Sequence, residues 1–463
     1  MNRRTGRHAG LGGAKGRTVS RILFVVLVTT SSLSCAAPTA RDTTADAAST
    51  AVMSLPGMPT TAAATGEPTF PRTATYYLDQ DRLPPMEELA RYDLVVLDHE
   101  WAHRVPESYF DGLRSRNPRI RLLAYMNLVD LPGALGSPGY WADRYALWQF
   151  DGPNSSTFPE EWLAITASGE PVSEWPRTTM TNLTDVAPQV DGRIYAEYAA
   201  EWVADQVWST GIWDGVLLDV WGDRIYSADA DAWDIDGDGV DEPDSQIYGL
   251  DGPWARGLTV AERIMRERMP GAIIVANGDR SPVDGLLDGR AWESFADPMA
   301  DRDPGMDLDI YLETTAGEGH RPPGMWMTID RLGAGRSVAD TYRRARFFLT
   351  ATLLRDGYWA PMLLHYGSTA YYDEMDGAGL GPGYLGLPVT DAALQGDAGR
   401  AVLRRDFENG IVLVNSGDNA EHVYLERPYR HLRGTQDPSV NDGSITEEVV
   451  LEPLDGLILL RTD

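Results

Sequence analysis

Residues Gly215 to Asp223 read GVLLDVWGD: an unbroken apolar run ending in an acid, with a tryptophan two residues on and then a second acid. A short Val/Leu run bounded by glycine has the pattern of a strand buried on both faces, which belongs to parallel sheets. Asp219, its last residue, stands where the strands of an α/β barrel open to substrate. One such acid is explained equally well as the cap of the next helix or turn, so the rest of the chain decides.

The pattern repeats in both directions. TATYYLD, DLVVLDHE and IRLLAYMNL precede it; AIIVANGD, GRAWESFA, MWMTID and YWAPMLLHYG follow. Between most of them lie helical segments such as YAEYAAEWVADQVWSTG, LTVAERIMRERMPG and SVADTYRRARFFLTATLLRDG. Eight strands separated by helices predict an α/β fold, a (β/α)8 TIM barrel over residues 73–395. No G-x-G-x-x-G follows any strand, which disfavours an open dinucleotide-binding sheet. From residue 396 the helices stop. AVLRRDFENGIVLVNSG carries a hairpin signal at Asn409-Gly410, and HVYLE, ITEEVVLE and GLILLRT continue as short strands. A small C-terminal all-β sandwich is expected over 396–463.

The 463 residues carry a net charge of −29, and Lys15 is the single lysine. This balance argues against nucleic acid and anionic membrane surfaces as partners and suits neutral or cationic substrates. The N-terminus pairs a basic stretch, MNRRTGRHAGLGGAKGRTVSR, with the apolar ILFVVLVTTSSLS, too short to remain as a spanning helix. Residues 1–34 are expected to be a signal peptide. Cys35, the only cysteine, then resembles a bacterial lipoprotein acylation site, with plain cleavage nearby as the alternative; Ser32 stands where Leu is usual. Export is expected either way, as a cell-envelope lipoprotein or a secreted protein, with membrane contact only through such an anchor. Residues 35–72 are rich in Ala, Thr and Pro without periodicity and are expected to form a disordered tether. A monomer is the expected state.

Nearly every strand ends in a polar group, and in a barrel these share one mouth. They are Asp98 with Glu100, Tyr125 and Asn127, Asp219, Asn277 and Asp279, Glu293 after Trp292, Asp330, and His365 with Tyr366. Such a mouth suits glycoside hydrolysis, which uses one protonated and one ionised carboxyl group. Asp219 and Glu293 are the best pair, each in an aromatic setting that would raise one pKa. Trp221 and Trp292 are the candidate sugar platforms, and Asp223 a candidate hydroxyl ligand or loop anchor. The expected partner is a carbohydrate substrate.

The motifs YDLVVLD, DGVLLDVWGD, WESF, RRARFFLTATLLRDGYW, YYDE and RRDFENGIVLVN run from about residue 75 to the C-terminus. As a set they resemble an uncharacterised group of bacterial barrel enzymes, the hypothetical glycosyl hydrolase 15-like family. More distantly they are similar to endo-α-1,4-polygalactosaminidases and α-galactosidase-type barrels. The resemblance implies that Asp219 is nucleophile or base and that Glu293 is the acid, where α-galactosidase-type barrels carry Asp.

A second signal lies in DIDGDGVDEPD. Asp234, Asp236, Asp238, Val240 and Glu242 fall at alternate positions, with Gly239 for the turn, as in calcium loops. The twelfth-position Glu of an EF-hand is absent; Ser245 stands there, and Asp241 or Asp244 would have to substitute. Structural Ca2+ is expected and no organic cofactor. Two rival functions remain: a non-catalytic carbohydrate-binding envelope protein, and a zinc metallopeptidase through His99-Glu100-His103, which matches H-E-x-x-H in letters but follows a strand directly.

Overall fold

The computed structural model describes residues 69–462, apart from 80, 133–146, 148–157, 279–284, 294–303, 318–319, 322–323, 334–335, 364–365 and 395–401. Eight parallel strands form one sheet in chain order: β1 (Ala74–Tyr77), β2 (Leu94–Asp98), β3 (Arg121–Asn127), β4 (Gly215–Asp219), β5 (Ile273–Asn277), β6 (Gly289–Glu293), β7 (Met325–Arg331) and β8 (Tyr358–Met362). A parallel bridge between Thr73 and Trp359 brings β1 beside β8, so the sheet curls into the expected barrel. Each strand is apolar on both faces because one face lines the interior and the other meets helices.

Strand alternation settles which residues face inward. Tyr76, Val96, Tyr125, Leu217, Val275, Ala291, Met327, Ile329 and Ala360 form the interior cluster. Burying each Val, Leu, Ile or Met side chain there contributes about 1.5–3 kcal/mol. Gly215 and Gly289 share this inward phase at the narrow end, where a Cβ would overlap the carbonyls of Ile273 and Met325. The outward face joins the larger core beneath α1 (Glu107–Arg116), α2 (Tyr195–Trp202), α3 (Pro253–Arg268), α4 (Pro304–Gly317) and α5 (Val338–Thr352). α3 opens with Pro253 at its first turn, where a missing N–H costs nothing, and turns Trp254, Leu258, Ala261 and Met265 to the barrel. α5 is capped by Ser337, whose Oγ accepts the Asp340 N–H at 3.1 Å.

The C-terminal strands β9 (Ala393–Leu394), β10 (Val402–Asp406), β11 (Gly410–Asn415), β12 (Glu421–His431), β13 (Ile445–Leu451) and β14 (Asp455–Arg461) form one antiparallel sheet, ordered β9-β10-β11-β14-β12-β13. The Asn409-Gly410 hairpin joins β10 to β11 as the sequence predicts. The sandwich-like core of Val402, Ile411, Leu413, Val423, Val449 and Leu459 is therefore enclosed by one bent sheet, not two stacked ones. The bend lies in β12, whose pairing with β13 shifts register between Tyr424 and Tyr429. The opposite face packs on α5: buried Arg346 donates to both Asp455 carboxylate oxygens at 3.2 and 3.0 Å and to Asp437 at 2.5 Å. Arg405 reaches back from β10 to Asp356 at 2.6 Å. Among the first described residues, Phe70 is fully buried against Phe407, inside the stretch expected to be tether.

Candidate active site

The inward-facing groups at the strand C-termini are Tyr76, Asp98, Tyr125, Asn127, Asp219, Asn277, Glu293 and Arg331, with Tyr366 just beyond β8. Asp219 is held by three donors: Tyr125 OH to Oδ2 at 2.5 Å, Asn277 Nδ2 to Oδ1 at 2.8 Å, and its own following amide, Val220 N, at 3.0 Å. Val220 adopts φ 55°, a left-handed conformation unusual for a β-branched residue. That kink ends β4, returns the Val220 amide to the carboxylate and sends Trp221 out toward α3, its N–H on the Asn277 carbonyl at 2.8 Å. Backbone strain of this kind is tolerated where surrounding contacts over-determine it.

Glu293 accepts from the Tyr366 hydroxyl, from Arg331 Nη2 at 3.3 Å and from Asn277 Nδ2 at 3.5 Å. A single amide nitrogen thus bridges the two carboxylates. Burial is the larger cause that raises the Asp219 pKa to about 6; the charge of Glu293 adds to it, and the bonds from Tyr125, Asn277 and Val220 oppose it. Tyr76 packs edge-on against Tyr125 and Tyr366, forming an aromatic floor under both acids.

Alternation corrects several sequence expectations. Trp221 is buried, its Nε1 donating to Glu262 Oε1 at 3.0 Å under α3, so it offers no face to a sugar. Trp292 has the outward phase of β6 and packs edge-on against Tyr311 at 5.2 Å. Asp330 likewise faces outward, accepting from Trp359 Nε1 at 3.0 Å; its neighbour Arg331 is the inward group. Asp98 and Glu100 lie at the mouth of β2 but are sealed from solvent, Asp98 Oδ1 lying 3.2 Å from both His99 Nδ1 and the Glu100 amide. Asn127 is committed to Asp130, donating to Oδ2 at 2.7 Å. Asp223 is half-buried, and its carbonyl ties the strand end to Gly249. Asp279, His365 and Cys35 lie outside the described residues.

His99 is buried ahead of a single helical turn over Trp101–Arg104, on which His103 is exposed. The ligand-type groups that converge there are Asp98, His99 and Glu100, so the described residues do not assemble the H-E-x-x-H pattern.

The acidic loop spans a small hairpin in which Ala232–Trp233 pairs with Glu242–Pro243. Ligand-type oxygens of Asp234, Asp236 and Glu242 lie within 4.8 Å of one another. Asp238 lies outside this cluster, its Oδ1 accepting the Val240 amide at 2.8 Å, and Asp234, Asp236 and Glu242 likewise accept backbone amides of the loop. The proposed substitutes are engaged elsewhere, Asp241 with the Ala167 amide and Asp244 with Arg224 at 2.6 Å.

Sequence reasoning missed Arg331, Tyr76 and a third carboxylate, Glu174. Glu174 accepts from Ser227 Oγ at 2.6 Å, and its pKa is raised to about 7, first by burial and then by the neighbouring Asp130 and Asp219. It lies on an irregular loop between distant elements, where periodicity carries no signal.

Among solved structures the chain resembles the glycoside hydrolase domain of PelA from Pseudomonas aeruginosa (15% identity, 64% of this chain and 95% of that one, TM-score 0.37). It also resembles Aspergillus fumigatus Ega3 in complex with galactosamine (11%, 66% and 95%, TM-score 0.36). A third is the α-galactosidase TtGalA from Thermus thermophilus (14%, 66% and 60%, TM-score 0.38). Likeness at this level carries no information on activity. No match is found among curated proteins. The decisive comparison is with a family model described as hypothetical glycosyl hydrolase family 15, which matches residues 114–411, well over half the chain and most of the barrel strands. The chain belongs to this glycosyl hydrolase family.

Proposed function

We propose that the chain is a retaining glycosidase in which Asp219 is the nucleophile and Glu293 the acid/base. The observation that carries this is the Asn277 bridge. Bonds of 2.8 and 3.5 Å to one nitrogen keep the two oxygens no more than about 6 Å apart. Retention requires roughly 5–5.5 Å between carboxyl groups, whereas inversion needs about 6.5–9.5 Å to admit a water. The three donors fix Asp219 for in-line attack on the anomeric carbon. As that C–O bond forms, the bond to the leaving group breaks, and Glu293 delivers its proton to the departing oxygen. Water then attacks the glycosyl-enzyme, gives its proton to Glu293 and releases Asp219. Burial first, and then the neighbouring Glu293 charge, raise Asp219 to about 6, so Asp219 is ionised and ready to attack above that pH.

Proton NMR of the products of a polysaccharide panel, galactosamine-rich polymers included, tests this. Retained configuration is expected, with activity down at least about 10³-fold in Asp219→Asn and Glu293→Gln. Inverted product would overturn the stereochemical assignment. The rival reading, a carbohydrate-binding barrel without catalysis, would show as binding with no cleavage by the wild type.

Two further expectations belong to this reading. Residues 1–34 direct export, and Cys35 is acylated or lies near the cleavage point. Asp234, Asp236 and Glu242 hold a Ca2+ that braces the loop between β4 and α3, a charge arrangement that a cation would relieve.

A further inference from the structure

With Trp221 and Trp292 turned away from the mouth, the described site has no exposed aromatic face in its first ring of residues. Two loops beside it supply one. Trp175 is 58% exposed and Tyr226 73% exposed, large for aromatic side chains that are usually mostly covered. The loops that carry them, before Thr178–Met180 and after β4, are clasped together. Ser173 N donates to Asp229 Oδ1 at 2.8 Å, Asp229 N returns to the Ser173 carbonyl at 2.9 Å, and Ser227 Oγ donates to Glu174 at 2.6 Å. The clasp therefore joins the residue before Trp175 to the residue after Tyr226.

The backbone beneath Trp175 is fixed, although its ring is bare. Trp175 opens a tight turn through Pro176 and Arg177, the latter at φ 71°. Its carbonyl accepts the Thr178 amide at 3.1 Å. The Thr178 hydroxyl donates to Asp130 Oδ1 at 3.0 Å; Asp130 also accepts from Asn127, and Asn127 is in register with Asp219 on the neighbouring strand. Through Thr178, hydrogen bonds thus tie the Trp175 backbone to the strand pair that carries the nucleophile.

We propose that Trp175, with Tyr226 beside it, is an outlying subsite that stacks a pyranose ring of a glycan chain extending from the reaction centre, so that the enzyme selects chains over single glycosides. A flat apolar face on a rigid backbone binds a pyranose C–H face with little ordering cost. The inference rests on the glycosidase reading for the direction of the chain, but the binding is separately measurable.

Native affinity electrophoresis of full-length wild type, Trp175→Ala, Trp175→Phe and Tyr226→Ala is run through gels containing, in turn, a galactosamine polymer, a galactan and an α-glucan. Retardation of the wild type by at least one polymer is expected, lost about tenfold in Trp175→Ala and restored by Trp175→Phe. On the polymer that is cleaved, KM should rise about tenfold in Trp175→Ala, while kcat on a short aryl glycoside stays within twofold. Equal retardation of wild type and Trp175→Ala, or no retardation by any polymer, overturns the subsite. Trp175-dependent retardation without cleavage leaves the subsite standing and overturns only the hydrolase reading.

Discussion

Replacing Glu293 by Gln should lower the pKa of Asp219, and the size of the drop measures whether the two acids form one unit. Glu293 is the second cause, after burial, that raises Asp219 to about 6. Two unit charges about 6 Å apart in an effective dielectric of about 20 repel by roughly 3 kcal/mol, or about two pKa units. Glu293 is 27% exposed at its side chain, and solvent screening reduces this to about one unit. The amide of Gln keeps an acceptor for Tyr366 and Arg331, so the charge is removed with little change in shape. The assay is a pH titration by carbon NMR with label in the Asp side chains, the Asp219 resonance assigned from Asp219→Asn. A midpoint near pH 5 in Glu293→Gln is expected. A midpoint that stays at about 6 or rises would mean that burial alone sets the value, and the paired-carboxylate mechanism would lose its electrostatic basis.

For the wild type, kcat/KM should fall about tenfold per pH unit below about 6, because Asp219 must be ionised to attack; a flat profile down to pH 4 would contradict this. Glu262, buried under Trp221, has its pKa raised to about 8 by burial. Its folded-state value lies above the unfolded one, so it favours folding most below about pH 4.5 and progressively less as pH rises toward 8, a loss on the order of 5 kcal/mol. Glu262→Gln should flatten the urea midpoint across that window, and an unchanged slope would rule the group out. Gly278→Ala should lower Tm by several degrees, because the added Cβ overlaps the Trp221–Gly222 backbone; calorimetry at wild-type Tm would contradict that packing. Adding Ca2+ to chelated protein should raise Tm in the wild type and not in Asp234→Asn, whereas identical curves with and without the ion would remove the proposed site.

The barrel was legible because its strands are short apolar runs that end in polar residues, a signal that survives without any tertiary information. Facing was not. A strand apolar on both sides has no alternation to read, so Asp330 could not be told from Arg331, nor Trp292 from Glu293. The inward phase becomes visible only once Ile329 and Ala291 are seen in the interior cluster. Trp221 misled for a different reason: the left-handed Val220 that follows Asp219 throws it out of phase, and nothing in the letters announces that kink. Asp219, Asn277 and Glu293 were found because each ends a strand, while Glu174 and Trp175 were missed because loop clasps obey no period. The acidic loop was half legible, its spacing bringing Asp234, Asp236 and Glu242 together and leaving Asp238 outside the cluster.

The Arg346 clamp on Asp455 and Asp437 bears on how this chain can be cut or recombined. The guanidinium is buried in a barrel helix, and the two carboxylates bonded to it come from the first residue of the last strand and from the loop between β12 and β13. Removing the C-terminal sheet would strand that cation in apolar surroundings, a loss of several kcal/mol beyond the contact area itself. The family match ends at residue 411, inside β11, so a fragment trimmed to it would cut the first hairpin of the sheet and lose the partners of Arg346. The sheet is thus not an accessory that can be exchanged between enzymes. Grafting this catalytic barrel into another protein would require carrying the chain through β14.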